Sequence, residues 1–292
     1  MARTLPVAVV QDPPLPVADS TSRFAEQVQG LLARFPQTRL VAYPELHLFG
    51  VSSEAELRAA AEPIDGPRVK ALAELAGDLG IWLLPGSLCE SDAGAPGAVF
   101  NTAVAFSPEG QLAASYRKIF PWRPYEIFQP GGQFVVFDVP DVGRLGFSIC
   151  YDAWFPEVSR QLAWLGAEVI INPVQTTTSD RAQELVLARA NAIVNQVFVV
   201  SVNAGAPLGV GRSLIVDPEG RVRVAADDPS PAVLTDVLDL DEVTRVRQFG
   251  TAGLNRMWDQ FTEADAPLEL PLYQGRIDPN TWKPREQEKP QD

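Results

Sequence analysis

One stretch constrains the fold of this chain more than any other: residues 145–157, with the sequence LGFSICYDAWFPE. Its first five residues are mostly apolar, Cys150 follows them, and Pro156 stands where a proline can open a helix. This order is typical of a buried strand that passes through a short turn into a helix. Open α/β sheets bind their ligands at the carboxyl ends of such strands. The sequence therefore predicts that Cys150 lies at the edge of a binding site.

The same succession of strand and helix recurs along the chain. A strand from Val7 to Gln11, a helix from Ser20 to Arg34 and a strand from Arg39 to Glu45 predict one βαβ unit. Glu45 ends its strand, as Cys150 ends a later one. Further helices are predicted over residues 67–77, 156–165, 179–196 and 242–249, and further strands over residues 81–88, 100–106, 112–119, 134–139, 144–150, 168–174, 197–203, 212–216, 221–226 and 232–238. Both halves repeat this plan, which predicts one α/β domain whose sheets are covered by helices.

The last part of the chain differs in composition. From about Glu263 onward, prolines and charged residues replace the periodic apolar pattern. We therefore expect a domain over residues 1–262 and a C-terminal extension over residues 263–292. The extension is predicted to be either an arm that lies on a partner subunit or partly disordered.

Charge and cysteine content argue against several classes of protein. The formal net charge of −13 disfavours binding to nucleic acids and to anionic membranes, which require clustered lysines and arginines. No apolar run approaches the length of a membrane span, and the one near the N-terminus is too short for a signal peptide. Two cysteines do not make a disulfide framework. These features predict a cytoplasmic protein with free thiols.

The chain has one histidine, His47, which limits the chemistry further. A zinc site would have to use carboxylates and two distant cysteines, an unfavourable donor set, so we expect neither a metal nor a cofactor. No Gly-x-Gly-x-x-Gly or Walker-type loop follows a predicted strand, which makes a nucleotide-binding protein a weak alternative.

Cys150 is the candidate nucleophile, and the helix expected after it has an N-terminal dipole that favours a thiolate. A cysteine nucleophile needs a base and a group that holds an oxyanion. Because histidine is scarce, Glu45 at its strand end is the natural base, and Lys118 at the end of a hairpin arm is the candidate oxyanion partner. A pair of His47 with Cys150 stays open as an alternative. Cys89 is expected to be a core or surface thiol.

Three short motifs, in this order and with this spacing, resemble the signatures of the nitrilase superfamily of carbon–nitrogen hydrolases. They are YPEL at residues 43–46, YRKI at residues 116–119 and CYDAWFPE at residues 150–157. The resemblance covers residues 5–245 and implies an α-β-β-α sandwich. It implies that Glu45 is the general base, that Lys118 stabilises the oxyanion and that Cys150 is the nucleophile. It also implies that the backbone N–H of Tyr151 completes the oxyanion hole.

The segment after Lys118 resembles the aliphatic-amidase version of the family, which implies Glu126 as a second glutamate of the site. The same loop holds Trp122 and Tyr125, which we expect to line the substrate pocket. Members of the family that act on carboxylate-bearing amides often have an arginine four residues after the cysteine, where this chain has Trp154. Trp154 cannot pair with a carboxylate, so a neutral or apolar acyl group is favoured and Trp154 joins the predicted pocket.

Together these features predict an amidase that converts a small neutral amide into a carboxylic acid and ammonia through a cysteine thioester. Nitrile hydrolysis is a close alternative, but nitrilases of this family typically have Trp-Glu after the cysteine, where this chain has Tyr151 and Asp152. Cleavage of N-carbamoyl amides also stays open. A non-catalytic binding scaffold on the same fold is the alternative from a different class. The resemblance further implies a homodimer or larger homo-oligomer, formed through the helix after the cysteine and the next helix.

Overall fold

The computed structural model describes residues 2–51, 53–270 and 272–277. The chain divides into two compact units, residues 1–257 and 258–292. Residues 278–292 of the predicted C-terminal extension lie outside the described residues, and its role as a dimer arm stays a prediction.

The described residues of the first unit form thirteen strands and six α-helices, joined by turns and loops. The strands are β1 (Thr4–Gln11), β2 (Leu40–Ala42), β3 (Trp82–Leu84), β4 (Ser87–Ser91), β5 (Val99–Phe106), β6 (Leu112–Arg117), β7 (Val136–Val139), β8 (Gly143–Phe147), β9 (Val169–Val174), β10 (Phe198–Asn203), β11 (Leu214–Val216), β12 (Val222–Ala225) and β13 (Ala232–Asp239). The helices are α1 (Ser20–Arg34), α2 (Glu54–Ala59), α3 (Pro67–Leu79), α4 (Pro156–Trp164), α5 (Arg181–Asn195) and α6 (Asp241–Phe249).

The strands form two sheets. The seven-stranded sheet has the order β13-β1-β2-β3-β5-β4, with β6 paired to β5. Its strands β1, β2 and β3 are parallel, and β13 is antiparallel to β1. The six-stranded sheet has the order β12-β11-β10-β9-β8-β7, in which β8, β9 and β10 are parallel. The parallel strands have their carboxyl ends at one edge of each sheet, which is where open α/β sheets place ligands.

Two buried clusters of apolar side chains show how the layers stack. One fills the space between the sheets and includes Val9 from β1 together with Phe147, Ile171 and Val200 from the six-stranded sheet. The other joins the outer face of the seven-stranded sheet to α1 and α3. Helix α5 contacts β10 and β11 of the six-stranded sheet, and α4 contacts α5. Helix, sheet, sheet and helix therefore form four layers, and the predicted α-β-β-α sandwich is confirmed.

Several predicted elements differ in detail from the observed ones. The strand expected over residues 81–88 is two strands, β3 and β4, because the chain turns at Pro85 and Gly86. Gly86 has a φ of 89°, and a Cβ built on it would lie 1.6 Å from the carbonyl oxygen of Pro44. Only glycine permits this conformation together with so close an approach. The short helix α2, which begins with Ser53 as its N-cap, was not predicted.

Candidate active site

Three of the predicted catalytic residues follow the ends of strands, whereas Glu126 lies in the loop between β6 and β7. Glu45 lies three residues after β2, and Lys118 directly follows β6, so both come from the seven-stranded sheet. Cys150 lies three residues after β8, and Thr176 lies two residues after β9, so both come from the six-stranded sheet. The candidate site therefore forms where the ends of the two sheets meet.

Lys118 is the centre of the hydrogen bonds on the first side of the site. Its Nζ donates to Oε1 of Glu45 at 2.9 Å and to Oε1 of Glu126 at 2.6 Å. The side chain of Lys118 is fully buried, and that of Glu45 is nearly so. The backbone of Lys118 is fixed as well, because its N–H donates to the carbonyl of Asn101 and its own carbonyl accepts from the N–H of Gly131. An ammonium group has three donors, and these two contacts use two of them.

Glu45 is held by groups from three other segments. The amide Nδ2 of Asn101 donates to the same Oε1 atom at 2.7 Å. The N–H of the next residue, Leu46, donates to Oγ of Ser87, and Nε2 of Gln175 donates to the carbonyl oxygen of Glu45. Leu46 itself has a φ of 51°, which turns the chain sharply after the glutamate. The carboxylate is therefore positioned by its backbone and by direct hydrogen bonds.

Cys150 stands at a strained turn. Its φ is 45°, in the left-handed region that non-glycine residues enter at a cost of about 1 kcal/mol. The turn is stabilised by buried Asp152, whose carboxylate accepts from the N–H of Ile149 at 2.9 Å, the N–H of Phe120 at 2.8 Å and the hydroxyl of Tyr116 at 2.7 Å. Asp152 thus links the cysteine turn to the segment after Lys118, a role that sequence reasoning missed.

The protonation of Cys150 corrects one expectation. The α-helix α4 begins only at Pro156, and a 3-10 turn, Cys150–Trp154, lies between the thiol and that helix. A helix dipole acts only near its first turn, so it does not lower the pKa of the thiol as expected. Burial raises the pKa of Cys150 well above its ordinary value, Glu45 raises it further, and Lys118 partly opposes the shift.

The electrostatic interactions also show that the three predicted residues share one environment. Burial raises the pKa of Glu45, Lys118 opposes this, and Glu126 adds to the increase. Burial acts to lower the pKa of Lys118, but Glu45, Cys150 and Glu126 raise it well above its ordinary value. Lys118 is therefore an ammonium at neutral pH. Burial raises the pKa of both the Glu45 carboxyl and the Cys150 thiol, and Lys118 opposes both shifts, so the two groups respond to the same neighbours.

The residues predicted to line the pocket lie in an aromatic region around this site. Trp122 is half-buried, and its backbone N–H donates to Oε2 of Glu126 at 3.1 Å. Its ring lies 4.5 Å from that of Tyr125, which is 70% exposed and so stands at a rim. Trp154 is half-buried, with its ring 6.1 Å from Tyr151. Their contact with a substrate stays a prediction, as does the role of the Tyr151 N–H.

The remaining candidates do not join the site. His47 lies under α1, where its Nε2 contacts Oε1 of Gln27 at 3.1 Å and its ring packs 4.7 Å from Tyr43. Burial lowers its pKa to about 3, so a His47–Cys150 pair is not supported. Cys89 is buried within β4, and its thiol donates to the carbonyl of Leu57. Burial raises the pKa of Cys89 to about 12, which is typical of a structural thiol.

The described residues contain neither a candidate metal site nor a candidate membrane span. Among them, no three His, Cys, Asp or Glu side chains are grouped so that they could hold a metal ion. No helix among these residues is both long enough and apolar enough to cross a membrane.

The four-layer fold, with half-buried Cys150 and buried Lys118 and Glu45 at the ends of the strands, can be compared with known proteins. A family model described as carbon–nitrogen hydrolase matches residues 6–248. The chain therefore belongs to the carbon–nitrogen hydrolase family, and the predicted membership of the nitrilase superfamily is confirmed.

Individual relatives lie within the same superfamily. Omega-amidase NIT2 of Homo sapiens is 33% identical over 205 residues, which cover 64% of this chain and 72% of that protein. Deaminated glutathione amidase of Mus musculus is 31% identical over 250 residues, which cover 78% of this chain and 76% of that protein. The crystal structure of Nit3 from Saccharomyces cerevisiae, a member of branch 10 of the nitrilase superfamily, matches with a TM-score of 0.76 at 27% identity. That match covers 84% of this chain and 94% of the Nit3 chain.

Proposed function

We propose that this protein is an amidase that hydrolyses a small neutral amide to a carboxylic acid and ammonia. The observation that carries the proposal is the sharing of the Lys118 ammonium between Glu45 and Glu126 beside Cys150, with contacts of 2.9 Å and 2.6 Å. This arrangement provides a nucleophile, a base and a cation in one buried place, which is what attack on an amide carbon requires.

The acylation half-reaction begins with proton transfer from the Cys150 thiol to the Glu45 carboxylate. The resulting thiolate attacks the amide carbon, and the carbonyl oxygen becomes an oxyanion. The third proton of Lys118 Nζ and the backbone N–H of Tyr151 stabilise that oxyanion. Glu45 then donates its proton to the amide nitrogen, ammonia leaves, and a thioester remains on Cys150.

The deacylation half-reaction uses the same base. Glu45 takes a proton from a water molecule, and the hydroxide attacks the thioester carbon. When the second tetrahedral intermediate collapses, the carboxylic acid leaves and the sulfur regains the proton from Glu45. Glu126 positions Lys118 during both steps, and its charge adds to the increase that burial causes in the pKa of Glu45.

The charges around the thiol support a neutral substrate. Three carboxylates interact with Cys150, those of Glu45, Glu126 and Glu184. The two cations that interact with it, Lys118 and Arg181, are each already paired with carboxylates. Trp154 occupies the position at which carboxylate-binding members of the family often have arginine. An anionic acyl group would therefore meet repulsion from these carboxylates, while Lys118 and Arg181 are already paired.

An ammonia-release assay tests this proposal. The full-length protein is incubated with matched panels of short neutral amides, amides that also carry a carboxylate, nitriles and ureido compounds. We expect the neutral amides to be the best substrates, and we expect the Cys150→Ala variant to lose at least about 10⁴-fold in kcat, as loss of a nucleophile does elsewhere. Cys89→Ala is the matched control and should retain activity. Turnover at the wild-type rate in Cys150→Ala would refute the mechanism, and a preference for another panel would refute the substrate class.

Assembly is the second part of the proposal. Val186, Ile193 and Val194 form an apolar stripe on α5, and Val186 is 66% exposed. We propose that this stripe is covered by a second copy of the chain in a homodimer, which sedimentation equilibrium would detect as twice the chain mass. A location in the cytoplasm stays a prediction.

A further inference from the structure

A second series of hydrogen bonds reaches Cys150 from the six-stranded sheet. The Sγ atom of Cys150 lies 3.9 Å from the hydroxyl oxygen of Thr176. That hydroxyl lies 2.8 Å and 2.9 Å from the two carboxylate oxygens of Glu184. Glu184 in turn accepts from Nη1 of Arg181 at 3.0 Å. These hydrogen bonds lie in the interior of the protein, because Thr176, Glu184 and Arg181 are all buried.

Arg181 and Thr176, at the two ends of this series of hydrogen bonds, are held in place by further partners. Arg181 also donates to the hydroxyl of Ser201 and to the carbonyl oxygens of Gly211 and Arg212. The backbone of Thr176 is held from both sides by Asn203, whose Oδ1 accepts from the Thr176 N–H and whose Nδ2 donates to the Thr176 carbonyl. The hydroxyl beside the thiol therefore has a fixed place.

The number of protons on each group decides which atom donates in the contact between Thr176 and the Cys150 sulfur. A threonine hydroxyl has one proton and two lone pairs, and an ionised carboxylate only accepts. The Thr176 oxygen lies 2.8 Å and 2.9 Å from the two oxygens of Glu184, which pairs with Arg181 as a carboxylate, so the Thr176 proton points at Glu184. What Thr176 offers to Cys150 is then a lone pair. The contact is favourable for the S–H form of Cys150, which donates, and unfavourable for the thiolate, which does not.

Building on the proposed function, we propose that Thr176, held by Glu184 and Arg181, is a positioning residue that orients the Cys150 side chain and favours its thiol form in the free enzyme. The reactive thiolate then forms only when Glu45 removes the proton during attack.

The charged groups that face Cys150 come from both sheets. On one side Glu45 and Glu126 oppose the thiolate and Lys118 favours it; on the other Glu184 opposes it. Arg181 interacts with Cys150 as well, but its charge is balanced by Glu184. Asp152, next to Cys150 in the turn, is occupied by its three donors. The Glu184 side therefore adds to the barrier against a resting thiolate.

The test is the pH dependence of alkylation of Cys150 by iodoacetamide, followed on the Cys150 peptide by mass spectrometry in the full-length protein without substrate. The alkylation rate follows the thiolate fraction. In Glu184→Gln we expect the midpoint to move to lower pH by about one unit, the size of a like-charge effect at short range. In Thr176→Val we expect a smaller shift in the same direction and a loss of about tenfold in kcat, with KM unchanged. Thr176→Ser should restore both values.

A second group of threonine, glutamate and arginine in this protein supplies a matched control. Thr102 donates to Oε2 of Glu90 at 2.5 Å, and Glu90 pairs with Arg117, so the same three residue types form a second chain of contacts. Glu90→Gln and Thr102→Val should leave the alkylation midpoint unchanged.

A Thr176→Val midpoint that equals the wild-type value would overturn the proposal, even if Glu184→Gln failed to fold. The outcome is separable from the proposed function, because alkylation requires no amide. Amide turnover in Cys150→Ala would refute the proposed function and leave the alkylation result standing.

Discussion

The two sides of Cys150 have similar residues but different bonding. On the side of the seven-stranded sheet, Lys118 is paired with Glu45 and Glu126. On the side of the six-stranded sheet, Arg181 is paired with Glu184. The Lys118 contacts to carboxylates use two of its three donors, whereas Arg181 uses its fork on a carboxylate, a hydroxyl and two carbonyl oxygens.

Under the proposed function, this difference distinguishes a cation that takes part in the reaction from one that supports the structure. Lys118 has a donor left for a developing negative charge. Its ammonium group also acts to lower the pKa of Glu45 and of Cys150. Arg181 is saturated by groups of the protein itself, and it holds Glu184 and the loop at Gly211 in place. In the proposed mechanism, the same pairing of opposite charges serves the reaction on one side and positioning on the other.

Matched substitutions of the two cations test the comparison most strongly. Lys118→Met should lower kcat by about 10³-fold or more, because the oxyanion loses a donor and Glu45 loses the cation that favours its ionised form. Arg181→Met should instead act on the fold and reduce the free energy of unfolding by about 3 kcal/mol, because a buried carboxylate loses its partner. Steady-state kinetics and urea denaturation on both variants measure these effects. A stable but inactive Arg181→Met, or an active Lys118→Met, would invert the assignment.

A smaller effect is expected when the charge of Glu126 is removed. Glu45 must be ionised to accept the thiol proton, so activity is lost as the pH falls through the raised pKa of Glu45. Glu126 is one cause of that raised pKa. In Glu126→Gln the pKa of Glu45 falls, and the acidic limb of the kcat/KM profile should move to lower pH by about one unit.

The control for Glu126→Gln is Glu168→Gln, which removes a partly buried carboxylate paired with Arg3. Its acidic limb should match that of the wild type. A limb in Glu126→Gln that stays in place or moves to higher pH would show that Glu126 does not act on the base.

The sequence allowed the first side of the site to be predicted, but not the second. Glu45, Lys118 and Cys150 stand at strand ends within recognisable motifs, and strand ends of parallel sheets meet in space. Arg181 and Glu184 are spaced like an ordinary ion pair on the surface of a helix, three residues apart in the first turn of α5. Their burial depends on how α5 packs on the six-stranded sheet, which no local pattern reports.

Two further residues show the same limit. Asn101 lies in the middle of the buried strand β5, and a polar residue in such a strand was a signal that it binds a partner; the partner is Glu45. The strand predicted over residues 39–45 is only three residues long, because Leu46 takes a positive φ and the chain turns over Gly86. Such turns depend on close tertiary contacts, which the order of residues alone did not show.

The proposed mechanism requires that the substrate is bound covalently to the sulfur of Cys150 during turnover. Mass spectrometry of the Cys150 peptide, after acid quenching of the enzyme during turnover of a short neutral amide, tests it most directly. The account predicts a mass increase equal to the acyl group, located on Cys150 and lost on treatment with hydroxylamine, which cleaves thioesters. Turnover with the acyl group on another residue, or continued turnover after Cys150 is replaced by alanine, would contradict it.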